Sequence, residues 1–198
     1  IRDNVLSVSG LLDSTIGGPS VFPYQPSGYW RYLNFPTRTW KSDSGTSQYR
    51  RGLYTHWQRT LVHPAMLAFD APTREECTAM RSISNTPAAA LTLLNDPTFV
   101  EAARALAARV VQQGGEQEND KIRWLFLQVL SRPDTQQERK AVMQILQTAR
   151  VHYADDPMAA AQLQTNGLFK LESTVDVIEV SAWVMACRVV LNLSETIT

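Results

Sequence analysis

At 198 residues, 44% hydrophobic and 19% charged, the chain has the make-up of one folded domain able to bury roughly 70% of its unfolded surface, which excludes a disordered tail. Nineteen basic and nineteen acidic residues cancel; up to Ser82 nine basic residues face six acidic (+3), and beyond it ten face thirteen (−3). So mild an asymmetry excludes the dense basic face of a nucleic-acid binder. Two cysteines, Cys77 and Cys187, leave the redox compartment open, and with no CxxC or CxxCH there is no zinc ribbon or covalent haem site in this stretch. The chain opens on Ile1 with no leader-like charged and apolar regions. It is read as a piece of a longer protein, with no signal peptide within it.

Ile1, Val5, Val8 and Leu12 recur at helical spacing and predict an amphipathic helix stopped by Gly17-Gly18-Pro19. From Ile16 to Gln48 no period is sustained, and prolines and glycines break every run, predicting an irregular segment wrapped over the surface. Phe22, Tyr24, Tyr29, Trp30, Tyr32, Phe35 and Trp40 place seven of the seventeen aromatics in nineteen residues. Such rings serve either as a stacking platform for sugars or a partner, with Trp30, Tyr32 and Trp40 as the candidates, or as pins that hold a long loop to the core and offset its ordering entropy.

Leu53–Thr60 reads as either strand or helical turn. Pro64 opens a short helix, and Thr73 with Glu76 spells a capping box that predicts another over Arg74–Arg81. Thr86-Pro87 and Asp96-Pro97 each supply a cap oxygen followed by a residue that needs no N–H donor, predicting two helix starts. The second carries Phe99, Ala103, Leu106 and Val110 on one stripe and ends at Gly114-Gly115. Ile122–Leu130 forms a helix stopped before Pro133, and Thr135 with Glu138 opens the next, running to Tyr153. Asp156-Pro157 starts a short helix that Asn166-Gly167 closes. Val175–Leu193 is apolar nearly all round, interrupted by Glu179 and Arg188, and predicts the central buried helix rather than a membrane span. The fold class is therefore all-α. Residues 1–198 read as a single, partial domain: an irregular helical bundle with a helix and Pro/Gly/aromatic-rich wrap over 1–48, and a helical core with a buried C-terminal helix over 49–198.

The segments RRGLYTHWQRT (Arg50–Thr60), FDAPTREECT (Phe69–Thr78), NTPAAALTLLNDPTFVEAARALA (Asn85–Ala107) and VLNLSETI before Thr198, with the opening IRDNVLSVSGLLD and GGPSVFPYQPSG, resemble the planctomycete-type secreted C-terminal domain of unknown function. The resemblance runs over nearly the whole chain, starting part-way into the family's pattern. It departs at TAMRSIS, where only Arg81 remains of a more basic run, at Ala88-Ala89-Ala90, and at Ser194, which stands where an acid is usual. The resemblance implies export to the periplasm or cell surface, linkage to other modules including an upstream cytochrome c-like haem domain, and association with extracellular polymer breakdown. It implies no cofactor within this chain and supplies no reaction.

Arg50, Arg51 and Arg59, then Arg74 and Arg81, stand around His56, His63 and Asp70, with Arg50, Arg51, Arg74 and Arg81 as the anion-binding candidates. Either the arginines grip an anionic group, with His56 and Asp70 as proton-transfer candidates, or they knit the irregular segment to the bundle through ion pairs with Asp70, Glu75, Glu76 and Asp96. His56 and His63 lie seven apart with no third ligand fixed by spacing, so no metal site is assigned. Cys77 and Cys187 are read either as a disulfide or as two separate thiols. Three functions follow: an interaction or scaffold domain among other domains of its parent protein; an enzyme module acting on anionic extracellular carbohydrate; and a non-catalytic carbohydrate-binding module using the 22–40 aromatics. The first needs an apolar surface, the second a convergence of His56, Asp70 and arginines, and the third exposed ring faces. No nucleic-acid partner and no membrane-spanning segment are expected.

Overall fold

A computed structural model describes the chain except for Tyr32, Asn34, Phe35, Pro36, Thr60, Arg81, Ile83, Asn85, Thr174 and Thr198. Among the described residues it is all-α, with nine α-helices: α1 (Arg2–Ser9), α2 (Pro64–Ala68), α3 (Pro87–Asn95), α4 (Pro97–Gln113), α5 (Glu118–Leu130), α6 (Gln136–Asp155), α7 (Pro157–Leu163), α8 (Val177–Leu191) and α9 (Ser194–Ile197). Two 3-10 turns, Gly45–Tyr49 and Gly52–Tyr54, carry the chain between the wrap and α2.

The core is built on α8, which packs against α4 on one side and α6 on the other. Val180, Ala182, Trp183, Val184, Ala186 and Cys187 are all fully buried, as expected for a helix apolar around its whole circumference. α4 is buried over most of its surface rather than along the one expected stripe, with Ala102, Ala103, Ala105, Ala107 and Ala108 all inside. Small side chains on both helices, Ala182 and Ala186 on α8 among them, suit the close packing of α4 against α8.

Most predicted starts are present as written. Thr86 Oγ1 accepts from Ala89 N (3.2 Å), Asp96 Oδ1 from Thr98 N (2.9 Å), and Asp156 Oδ1 from Ala159 N (3.0 Å). At α6 both limbs of the capping box close: Thr135 N donates to Glu138 Oε2 (2.7 Å) and Glu138 N donates to Thr135 Oγ1 (3.3 Å). Arg132 then bridges Glu138 (2.7 Å) and Glu195 (2.9 Å), tying α6 to α9. α8 is held at its start by Glu179, which accepts from Trp183 Nε1 (2.9 Å) and pairs with Arg150 (2.8 Å).

Three expectations need correction. α1 ends at Ser9 because Gly10 turns left-handed (φ 81°), and Leu11 and Leu12 N–H both fold back on Leu6 O. α7 ends at Leu163, before Asn166-Gly167. The helix predicted over Arg74–Arg81 does not form among its described residues. Arg74 takes φ 64°, outside the helical region, where its guanidinium lies over the Trp57 ring (4.1 Å), and Glu75 is held by Arg59 (2.7 Å). With Arg74 left-handed the first turn cannot form, and Thr73 Oγ1 accepts from Glu75 N instead (3.4 Å).

The wrap is fixed from within. Val21 N donates to Tyr54 O and His56 N to Val21 O (2.8 Å each), and Phe22 exchanges bonds with Asp43. Trp40 Nε1 donates to Pro23 O (2.8 Å), and its ring meets those of Phe22 and Trp30 edge-on at 5.0 Å.

Candidate functional site

The sequence candidates are distributed rather than gathered. Arg50 is buried; its guanidinium donates to the carbonyls of Thr15 (3.0 Å), Gly17 and Pro19 (3.2 Å) and lies over the Tyr54 ring (4.0 Å). It clamps the chain entering the wrap. Arg51 is half-exposed, 3.7 Å from Asp3, and Arg74 stacks on Trp57. His56 stacks on Phe22 (4.6 Å, 19° between planes) within the Trp30–Trp40 cluster. Burial and the nearby Arg38 charge lower its pKa. Asp70, at φ 54°, accepts from Ser84 N (2.8 Å) and Ser84 Oγ (2.6 Å), closing the 71–83 excursion on itself. His56 and Asp70 thus belong to different places. Arg81 and Tyr32, named above, lie outside the described residues, as do Phe35 and Asn85.

The aromatic platform is not assembled as an open face. Trp30 is 5% exposed, and Trp40 is half-buried with its N–H already donated, so these rings dock the wrap. The cysteines are free thiols, Cys77 exposed on the 71–86 stretch and Cys187 fully buried in α8. Burial raises the Cys187 pKa. Among the described residues, no three His, Cys, Asp or Glu side chains gather as a metal site, and no helix is long and apolar enough to cross a membrane.

What the fold does bring together is a groove of about 580 Å³, a volume in the range of ligand pockets. Its lining comes from Ile1 and the first turn of α1 (Arg2, Asp3), Pro23, the 52–55 turn, α2 with its flanks, Ser82, Ser84, Ala89 and α9 (Ser194, Ile197). Leu53 (71% exposed), Met66 and Phe69 supply apolar wall; Asp3 and Asp70 supply carboxylates. Of the candidates chosen from sequence that lie among the described residues, only Asp70 lines it; the histidine there is His63.

His63 directly precedes Pro64 at the start of α2 and is buried. Its Nε2 lies 2.8 Å from Tyr24 O; a carbonyl only accepts, so Nε2 carries the proton. Nδ1 is then the acceptor. Burial lowers the His63 pKa, opposed by the Tyr24 carbonyl and the charge of Asp96, so the neutral ring is the resting form. Arg2, also on the lining, is tied to the backbone: Nη1 donates to Arg50 O (2.6 Å) and Nη2 to Gln48 O (2.8 Å).

A second polar cluster escaped the sequence reading. Glu101 and Arg104 of α4 are both 0% exposed. Glu101 Oε1 accepts from Tyr49 Oη (2.7 Å) and from the N–H groups of Leu168 and Phe169. Arg104 donates to the carbonyls of Gln164, Asn166 and Phe169. Burial, then the Glu101 carboxylate, raises the phenol pKa of Tyr24; for Tyr49 the order is burial, then its hydrogen bond to Glu101. The available signal was two charges one turn apart in an alanine-rich helix, with a glycine far downstream to make room.

The described residues form an all-α domain with a clamped N-terminal wrap, an open groove and a buried polar latch. The family model described as PSD1, Protein of unknown function (DUF1553), matches residues 1–146, and the chain belongs to that family. No curated protein and no solved structure matches the chain.

Proposed function

We propose that the chain is an interaction or scaffold domain of a larger exported protein that also carries a haem domain, and that the groove is where a neighbouring protein segment is held. The groove carries this reading: a concave surface with apolar walls contributed by segments far apart in sequence. Several of the other reactive residues are used internally, with Arg50 clamping the wrap and Trp40 and His56 packing within it. The exported setting and the haem on another domain rest on the family resemblance; no haem is assigned to this chain.

Amide exchange over residues 52–55 and 63–71 tests the reading, compared between this chain alone and the longer protein. Slower exchange in the longer protein is expected. Equal exchange overturns the docking role. Absence of haem absorbance and of a cleaved leader in the longer protein overturns the setting.

A further inference from the structure

A second cavity, of about 270 Å³, lies between the end of α1, α4 and the chain that follows α7, with Gly10, Ala108, Arg109, Phe169 and Lys170 among its walls. It shares no lining residue with the groove. The two are nevertheless joined through the interior by one run of hydrogen bonds. At the groove, Arg2 holds the carbonyls on either side of Tyr49, Gln48 O (2.8 Å) and Arg50 O (2.6 Å), and Asp3 Oδ1 accepts from Gly52 N (2.6 Å). The first turn of α1 thereby fixes where Tyr49 stands. Tyr49 Oη donates to Glu101 Oε1 (2.7 Å), and the same oxygen receives the N–H groups of Leu168 and Phe169. Phe169 is already cavity wall.

Tyr49 and Glu101 line neither the groove nor the cavity. Glu101 is 0% exposed, so a donor lost from its carboxylate is not replaced from solvent unless the fold opens. The chain from Gln164 to Phe169 lies outside the helices and is held to α4 by Glu101 and Arg104. We propose that Glu101 couples the groove to the second cavity. A segment docked in the groove seats the 52–55 turn on α1 and keeps Tyr49 on the carboxylate, which holds Phe169 and the wall beyond it in place. With the turn loosened, Tyr49 leaves the carboxylate and the wall at 169–172 opens. Tyr49 on and off Oε1 are the two states, and whatever favours one of them at the groove favours it equally at the cavity. The docking half of this rests on the groove being a binding surface; the hydrogen-bonded link does not.

Amide exchange followed by NMR, at one pH and referred to the amides of α6, tests the link in this chain without a partner. Tyr49→Phe keeps the ring and removes the donor. It should speed exchange at Leu168 and Phe169 about tenfold, the size of a hydrogen bond to a charged group. Asp3→Ala releases Gly52 N at the groove and should speed the same two amides. In the double variant, Asp3→Ala should add nothing to Tyr49→Phe. Unchanged exchange at 168 and 169 in either single variant overturns the proposal. So does additivity, which would carry the effect along α1 itself, whose Ser9 and Gly10 also border the cavity. In the longer protein, slower exchange at 52–55 should bring slower exchange at 168 and 169, and Tyr49→Phe should abolish the second while keeping the first. Protection of the groove with 168 and 169 unmoved overturns the coupling and leaves the docking role. A link present in this chain, with no protection of the groove in the longer protein, supports the coupling and removes the docking role.

Discussion

Gly167 and the carboxylate of Glu101 compete for one space: a Cβ on residue 167 would lie inside the Glu101 side chain. The glycine also holds φ 80°, which lets Leu168 and Phe169 turn their N–H groups onto the same carboxylate. This contact joins α4 to the chain between α7 and α8, beyond the part matched by the family model. Gly167→Ala should therefore cost about 3 kcal/mol or more, combining left-handed strain with displacement of a buried charge from its donors. Gly28, at φ 76° with nothing within 4 Å of a built Cβ, is the control. Gly28→Ala should cost about 1 kcal/mol, and urea unfolding of both variants separates the terms. Equal losses would mean that the carboxylate contact contributes nothing.

Trp40 is expected to matter for stability and not for glycan recognition. Its ring packs on Phe22 and Trp30, and its N–H satisfies Pro23 O. Trp40→Ala should lower stability by about 2–3 kcal/mol, less than for a fully buried tryptophan because the ring is partly exposed. Thermal melts run beside a glycan array check this: a wild-type melt with lost glycan binding would restore the stacking-platform reading.

The two thiols should react on different timescales. Cys77 is exposed, whereas Cys187 is sealed in α8 with its pKa raised by burial, so its thiolate is scarce as well as inaccessible. Alkylation without reductant, followed by intact mass, should show one fast addition in the native state and a second only on unfolding. Failure to alkylate the unfolded chain without reductant would mean a disulfide.

The α6 capping box gives an acid-sensitive contact. Arg132, with help from the Thr135 hydroxyl and N–H, holds the Glu138 carboxyl down at about 2. A depressed carboxylate contributes stability that is full above its ordinary value near 4.5 and is lost as pH falls toward 2. Thr135→Ala should cost about 1 kcal/mol at neutral pH. Glu138→Gln should flatten the melting-temperature profile between pH 4.5 and 2; an unaltered profile would place the acid sensitivity elsewhere. Since Glu138 is largely solvated, the effect should also shrink in high salt.

The helices that were legible in the sequence are those whose signals act locally. Thr86-Pro87, Asp96-Pro97 and Thr135–Glu138 are read within four residues, and an all-apolar run such as Val177–Leu191 has only the interior to go to. Thr73–Glu76 carried the same local signal and failed because Arg74 and Glu75 found partners at Trp57 and Arg59, about sixteen residues back. The candidate site was hidden for the same reason. Crowding of reactive types around His56 and Asp70 is a one-dimensional signal. The wrap carries His56 into an aromatic cluster, while the start of α2 carries His63 to the groove with Asp70. Glu101 and Arg104 depend on residues sixty or more positions downstream, which no local pattern reports.

His63 makes the stability of the whole chain depend on mildly acidic pH. Burial lowers its pKa below the ordinary 6.5, so the unfolded chain takes up the proton more readily. The contribution is therefore full above 6.5 and is lost as pH falls below it. His56, lowered by its own burial and by Arg38, acts in the same window with less burial behind it. Asp96 works against both, because burial raises its pKa above 3.8 and its protonation restores stability at lower pH. Wild-type urea midpoints should thus be lower at pH 5.5 than at pH 7.5. His63→Gln, which cannot titrate yet still donates to Tyr24 O, should lose more of that difference than His56→Gln. A wild-type midpoint that holds or rises on acidification would mean that His63 is not kept neutral by its burial, and the acceptor role of Nδ1 would fall with it.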